Sequence, residues 1–462
     1  MCRVSCARVA ERRFRGGGAN HNDKQEWGGI MAESDQAFAD DVRRQISVRL
    51  IPLLIVIYIM AHLDRVNVSF AALTMNQDLD FSDPVYGLGA GLFFFGYFLF
   101  EVPANLLLER IGARRLISGI MLIWGTVSAL MACVATPAQF YVMRFILGVA
   151  EAGLYPGIIL YLTYWFRAND RATAIGQFAL ALAVAGLLGS PLSGAIMDGM
   201  GGVLGLAGWQ WLFIVEGIPT ALLGFVVLTV LPDSPAHARW LTAAQRSWLQ
   251  SALATERAAA APVAHGTLRK LFHPTVLLLA LAYFLFLGSF TGVIFWSPKL
   301  VHALDPGLSA TAVGWVVGAP YLLFGAALVV WGRHSDRTGE RHWHVSVGAL
   351  TAAAGYLLMA FAGSVWQVSV GMLVALLGAG AAFSCFWGLV TAAIPPAMAA
   401  VGIAVVNSLG ALGAFVTVAA LGRLLEATHS YRPGVLLFSV AAVLAAVAVQ
   451  MVPRPARPRP AA

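Results

Sequence analysis

Charged residues are scarce in this chain. Asp, Glu, Lys and Arg together make up 11% of its 462 residues, against about a quarter in soluble domains, while 59% are hydrophobic. That shortage excludes a soluble globular protein, a disordered one and a nucleic-acid-binding surface. Cysteine is equally sparse: Cys2, Cys6, Cys133 and Cys385 follow no metal-ligand or disulfide spacing. A nucleotide-binding loop is missing as well. The glycine-rich run 186–194 and Gly378-Ala379-Gly380 lie inside apolar stretches and read as helix-packing surfaces, so ATP-driven pumping is not expected. His342-x-His344 has no further ligands nearby, and no His or Cys/His constellation suggests a membrane enzyme. No catalytic residue, metal or cofactor is expected.

Long apolar runs fill the space. A crossing needs about 20 mostly apolar residues, and twelve such stretches lie between residues 48 and 452, the fourth at 139–163 and the sixth at 211–231. This is an all-α polytopic membrane protein. Twenty-five of the 30 Lys and Arg fall on one side of it and only Arg432 on the other, with Arg65, Arg144, Lys299 and Arg423 within or at the ends of spans. That bias places both termini in the cytoplasm and requires an even number of spans. The expected organisation is a tail at 1–47, a six-helix half at 48–231, a cytoplasmic linker at 232–273 with a helical pattern from Arg239 to Arg257, a second half at 274–452, and a tail at 453–462. Residues 1–30 are Gly/Arg-rich and patternless, consistent with translation beginning at Met31.

Glu109-Arg110-Ile111-Gly112-Ala113-Arg114 and Asp336-Arg337-Thr338-Gly339-Glu340-Arg341 share one pattern, acid-Arg-x-Gly-x-Arg. Their offset of 227 also relates the starts of several spans, which implies two six-helix halves related by a pseudo-two-fold axis, an arrangement typical of transporters. In both loops the acid (Glu109, Asp336) and the arginines (Arg110, Arg114, Arg337, Arg341) are expected to gate one face through ion pairs or helix-end dipoles.

An ionisable side chain at mid-bilayer costs about 2.5–3.5 kcal/mol or more, so it faces a cavity or a partner. Span one carries His62-Leu63-Asp64-Arg65-Val66-Asn67, and span four carries Arg144 and Glu151 on one helix face. The two arginines suit an anion. The two acids suit a coupled proton, with substrate on Arg144 competing for Glu151. Shifted by the repeat, these four positions become Thr291, Gly292, Gly371 and Gly378, so charge handling belongs to the first half. Ser384, Trp387, Asn407 and Tyr97 are candidates for substrate contact. Glu101 and Glu216 read as helix-end residues, and Lys299 and Arg423 as snorkelling ones.

Several of these stretches resemble the anion:cation symporter family of the major facilitator superfamily: the 62–67 segment, Phe94–Arg115, Arg144–Pro156, Gly208–Pro219 and 335–344. The similarity runs from about residue 45 to 450 and is strongest to bacterial permeases for tartrate, 4-hydroxyphenylacetate, phthalate and nicotinate. The resemblance implies a functional monomer in the bacterial inner membrane that imports a small organic carboxylate with protons. It implies substrate binding at Arg65, Arg144, Tyr97, Ser384, Trp387 and Asn407, and proton handling at Asp64 and Glu151. His62 stands where relatives commonly have Tyr, and Ala411 where they often have Asn, so His62 is a candidate for selectivity. The rival expectations are an organic-anion exchanger or efflux antiporter and, from another class, a membrane sensor that binds the anion without moving it.

Overall fold

The computed structural model describes residues 21–259, 273–395 and 398–454. Side chains are described from residue 36 onward, except at 109, 169, 172, 173, 177–179, 257, 259, 399 and 400. Twelve helices among them are long and apolar enough to cross a membrane. The first six and the last six spans form two bundles related by the expected repeat: spans two and eight begin at Asp83 and Ala310, 227 apart. Leu222, Phe225, Leu322, Val330, Leu357 and Leu444 point outward from the bundles as a lipid-facing surface. Trp343 and Trp366 stand exposed at opposite ends of it, as interfacial aromatics do.

Glycine at the centre of each repeated loop makes the reversal possible. Gly112 and Gly339 both have positive φ, 83° and 66°, so one residue ends span two or eight and turns the chain into the next. At the opposite ends, Thr136, Ser309 and Ser364 cap spans four, eight and ten by accepting a backbone N–H three residues on.

Two spans are broken where the sequence puts a proline. Pro156 and Pro320 have no N–H to give to the carbonyl four residues earlier. Span four accordingly divides into Pro137–Glu151 and Leu154–Thr163, and span eight into Ala310–Gly318 and Tyr321–Thr338. The first break leaves Glu151 at the end of its helical piece.

The first span is longer than its apolar run. The helix His21–Asp78 extends through the expected tail, because its early residues dock on the linker. Phe38 meets Trp248 edge to face at 5.8 Å, Gln245 donates to Asp41 at 3.0 Å, and the Arg49 guanidinium lies 4.9 Å over Trp240. The linker helix runs Ala243–Ala259, starting later than its apolar pattern because Thr242 and Gln245 form a reciprocal cap. Residues 1–20, 260–272 and 455–462 lie outside the described ones. The face carrying the linker is called the linker face below, and its opposite the far face.

Several side-chain and backbone contacts join the two halves at the far face. Asp83 pairs with Lys299, which therefore does not snorkel, and Tyr86 donates to the Phe295 carbonyl at 2.7 Å. Asp198, on span five, accepts from the Ala310 and Thr311 backbone N–H groups at 3.0 and 2.8 Å, a carboxylate set on the positive end of span eight. The run 186–194 is a packing surface as expected, with Gly186 against Tyr321 and Gly194 against Ala310. A Cβ on Gly422 would stand 2.5 Å from the Asp83 carbonyl. Gly422→Val is therefore expected to disfavour this closed face. A Thr291→Cys reporter in the central cavity should then react faster with an impermeant maleimide added at the far face; unchanged labelling would show that the packing there does not close it.

Candidate functional site

Between the halves lies a cavity of ≈ 120 Å³. Tyr58, His62, Arg65, Phe93, Tyr97 and Tyr155 line it from the first half, and Tyr283, Phe290, Thr291, Phe383, Trp387, Asn407 and Ala411 from the second. Helical periodicity decides which residues of 62–67 reach it. Tyr58, His62 and Arg65 share one face of span one, while Asp64 is turned by about 100° from Arg65 into the first bundle. Adjacent charges thus serve separate places.

Arg65 supplies the cavity's positive charge. It is ion-paired with Glu151, and its guanidinium lies 5.5 Å from the Phe93 ring and 6.0 Å from Tyr97. Glu151 is 1% exposed, and its Oε2 has no partner. The expected pairing of anion site and acid is present, but with a different arginine. Arg144 does not line the cavity. It is fully buried behind Phe93, 5.0 Å from the ring on which Arg65 also rests, and only Nη2 finds an acceptor, the Ala90 carbonyl at 3.5 Å. Its Nε and Nη1 are unpartnered. Gly148, one turn along from Arg144, brings span four against the Phe93 carbonyl of span two, so the aromatic cover falls where the guanidinium is.

Asp64 is likewise absent from the cavity. It is 2% exposed and accepts from Ser128 Oγ at 2.6 Å, Thr220 Oγ1 at 2.9 Å and Asn67 Nδ2 at 3.4 Å. Glu216 lies beside this cluster, buried, accepting from Ser193 Oγ at 2.9 Å. It is no helix-end residue: span six begins at Gly208 rather than 211, which puts Glu216 two turns inside. Glu101 is buried too, and accepts from Asn407 and from Ser408 Oγ across the boundary between the halves. A carboxylate counted as interfacial is therefore a bridge.

In the second half Trp387 and Asn407 reach the cavity as expected, and Ser384 does not. Phe383 and Trp387 are four apart on the lining face, which rotates Ser384 towards Gly332 of span eight, its hydroxyl donating to the Ala381 carbonyl at 2.8 Å. Tyr283 stands 5.2 Å from Trp387 and completes that wall.

The repeated loops bind within their own halves. Arg114 pairs with Asp233 at 3.0 Å, and Arg341 with Asp336 at 3.4 Å while lying against Gly388. Arg110 and Arg337 are exposed, and the Glu109 side chain lies outside the described residues. Among the described residues neither loop pairs with the other half. Beside the second loop, Glu340 accepts from the Trp343 backbone N–H at 3.0 Å and meets His344 Nδ1 at 3.1 Å; these bonds to its charged form hold its carboxyl below the usual range.

Two six-helix bundles around a central lined cavity, with broken helices beside it, form a carrier's architecture. The sequence model of the Major Facilitator Superfamily matches residues 54–418, and again 302–462. The chain belongs to this superfamily. It is 45% identical over 406 residues to an Agrobacterium vitis protein named "Putative tartrate transporter", covering 87% of this chain and 89% of that one. It is 38% identical to the quinolone resistance transporter of Acinetobacter baumannii, with 87% and 93% covered, and 36% identical to the metabolite transport protein NicT of Pseudomonas putida, with 88% and 94% covered. The inward-open xylose transporter XylE of E. coli superposes with a TM-score of 0.70 at 16% identity, covering 90% of this chain and 97% of that one. A bacterial homolog of the lysosomal transporter Spinster, inward-facing and occupied, gives 0.69 at 17%, with 87% and 96% covered. This superfamily chain is a transporter rather than an enzyme, and the sensor alternative falls with that.

Phe93 is the barrier between cavity and Arg144. Phe93→Ala should open a path, so that phenylglyoxal modifies Arg144 in the variant and not in the wild type, as mapped by mass spectrometry. Equal modification in both would show that Arg144 is already reached from the cavity.

Proposed function

We propose that this carrier couples a small organic carboxylate to protons in symport, with Arg65 as the anion receptor and Glu151 as the group that exchanges a proton for it. The observation that supports this most is the Arg65–Glu151 pair on the cavity wall. A carboxylate arriving at Arg65 competes with Glu151 for the same guanidinium. A displaced Glu151, buried and left with only the weaker field of Arg144, is costlier as an anion than as an acid. Anion binding and protonation of Glu151 therefore favour one another. When the solute leaves, Glu151 releases its proton and returns to Arg65, so the empty carrier moves with its charges neutralised. That return favours symport over obligatory exchange and over efflux by antiport.

The lining narrows the class of solute. Arg65 is the one cation there, and aromatic rings make most of the remaining wall. A flat monocarboxylate places its charge on Arg65 and its body between Phe93, Phe290, Phe383 and Trp387. Tartrate, named for the Agrobacterium vitis relative, would leave a second carboxylate against rings without a cation. His62 and Tyr97, beside Arg65, are the polar groups that would read a substituent near the charge.

The excess of Lys and Arg on the linker face supports cytoplasmic termini and linker, a bacterial inner-membrane location, and halves bounded at 231 and 274 by the linker. With the far face closed, the cavity then serves the cytoplasm, the release side of an importing monomer. The repeated loops around Arg114 and Arg341 would close the linker face in the alternate state. A monoanion carried with one proton is electroneutral and follows the pH gradient alone. Each further proton adds roughly 2.3 kcal/mol per 100 mV.

Thermal stabilisation of the purified protein by benzoate, 4-hydroxyphenylacetate, nicotinate, tartrate and glutamate tests this reading. Aromatic monocarboxylates should stabilise it, more so as pH falls while the ligand stays ionised, because binding requires a protonated Glu151. Arg65→Ala should abolish the shift. Glu151→Gln should keep it and remove its pH dependence. Stabilisation that survives Arg65→Ala, or that is greatest for tartrate, would contradict the assignment.

A further inference from the structure

The first bundle holds a second buried acid pair that the exchange at Arg65 does not use. On span six Glu216 and Thr220 are four apart on one face. On span one Asp64 and Asn67 are three apart and face them: Thr220 Oγ1 is 2.9 Å from Asp64 Oδ2 and 2.9 Å from the Glu216 carbonyl, and Asn67 Nδ2 is 3.4 Å from Asp64 Oδ1. Span three adds Ser128 to Asp64, and span five adds Ser193 to Glu216. Asp64 is the charged group that faces Glu216; Arg144 and Glu151 act on the cluster from beyond Asp64. Asp64 is 2% exposed and Glu216 is 2% exposed.

Hydrogen-bond bookkeeping shows what the cluster lacks. Ser128 and the Asn67 amide donate to Asp64, Ser193 donates to Glu216, and Thr220 has one hydrogen for both Asp64 Oδ2 and the Glu216 carbonyl, while Asn67 Oδ1 and Glu216 Oε2, both buried, have no partner. Both orphans are acceptors, so each lacks a donor. A proton on Glu216 turns its orphan oxygen into a donor and removes one of two buried like charges that no cation separates.

We infer that Asp64 and Glu216 form one proton-carrying pair, which holds a single shared proton inside the first bundle and adds it to the proton exchanged at Glu151. This rests on the reading of the chain as a proton-coupled carrier. The pair spans the contact between spans one and six, and Asp64 adjoins Arg65 in the chain, so movement of Arg65 on binding reaches the pair through one peptide. A proton picked up from one side and released to the other gives a monoanion a net positive charge in transit and makes its uptake respond to voltage.

Infrared spectra of the full chain in lipid at neutral pH, in H₂O and D₂O, read the proton directly. The wild type should show a deuterium-sensitive carbonyl stretch of a protonated carboxyl. It should be lost in Glu216→Gln, persist in Glu151→Gln, and shift in Asn67→Ala, which keeps both acids if the Gln variant does not fold. A spectrum without that band, or one unchanged in Glu216→Gln and Asn67→Ala, overturns the pair. Proteoliposomes then separate the two claims, using whichever of radiolabelled nicotinate, 4-hydroxyphenylacetate and tartrate the wild type takes up. Glu216→Gln, which mimics the protonated acid, should keep solute exchange but accumulate about tenfold less at a pH difference of one unit, since each coupled proton multiplies the gradient tenfold. Undiminished accumulation in Glu216→Gln overturns this inference alone. Failure of the wild type to accumulate any of the three against a pH gradient overturns the reading beneath it.

Discussion

A partly buried guanidinium needs a counter-charge, and Glu151 provides it for Arg65 at the wall of the central cavity between the halves. The rest of the arrangement follows from keeping that pair exchangeable. Glu151 ends a helical piece because Pro156 interrupts the ladder behind it, so the acid sits where backbone and side chain have some freedom. Phe93 lies against Arg144, while Arg65 is the arginine that lines the cavity.

The asymmetry between the halves has a mechanical meaning. Charge lies in the first bundle, while the second presents Tyr283, Phe383, Trp387 and Asn407. Rocking one against the other therefore changes the walls around the solute without pulling charged groups through lipid. The far face is held by contacts that can be released singly: Asp83 with Lys299, Asp198 on the end of span eight, and close backbone approach at Gly422. Nearer the linker face, Glu101 holds Asn407 and Ser408. Asn407 also lines the cavity, so one side chain both bridges the halves and faces the space between them.

Much of this was legible before any coordinates. Twelve spans, two repeated halves and the positive loops follow from composition and the 227-residue offset, and Gly112 and Gly339 were marked by the motif that repeats around them. The importance of 62–67, Arg144 and Glu151 followed from the cost of charge in lipid. What could not be read was the direction each side chain takes. Asp64 and Arg65 are neighbours in sequence and point into different compartments. Ser384 and Trp387 are three apart, yet the lining face runs through Phe383 and Trp387. Glu101 and Glu216 were misjudged because apolar runs end before helices do: span six starts at Gly208, and span two continues to Ile111. Arg144 was credited with a cavity position because nothing in the sequence says that Phe93 lies over it.

The central claim is that an anion and Glu151 exchange places on Arg65 with a proton as the third participant. Proton uptake during binding, followed in weakly buffered solution with the purified protein, measures it most directly. Binding of an aromatic monocarboxylate near neutral pH should draw in about one proton per anion, and Glu151→Gln should bind the same ligand with that uptake missing. Saturable binding to the wild type with no change in bound protons would contradict the account.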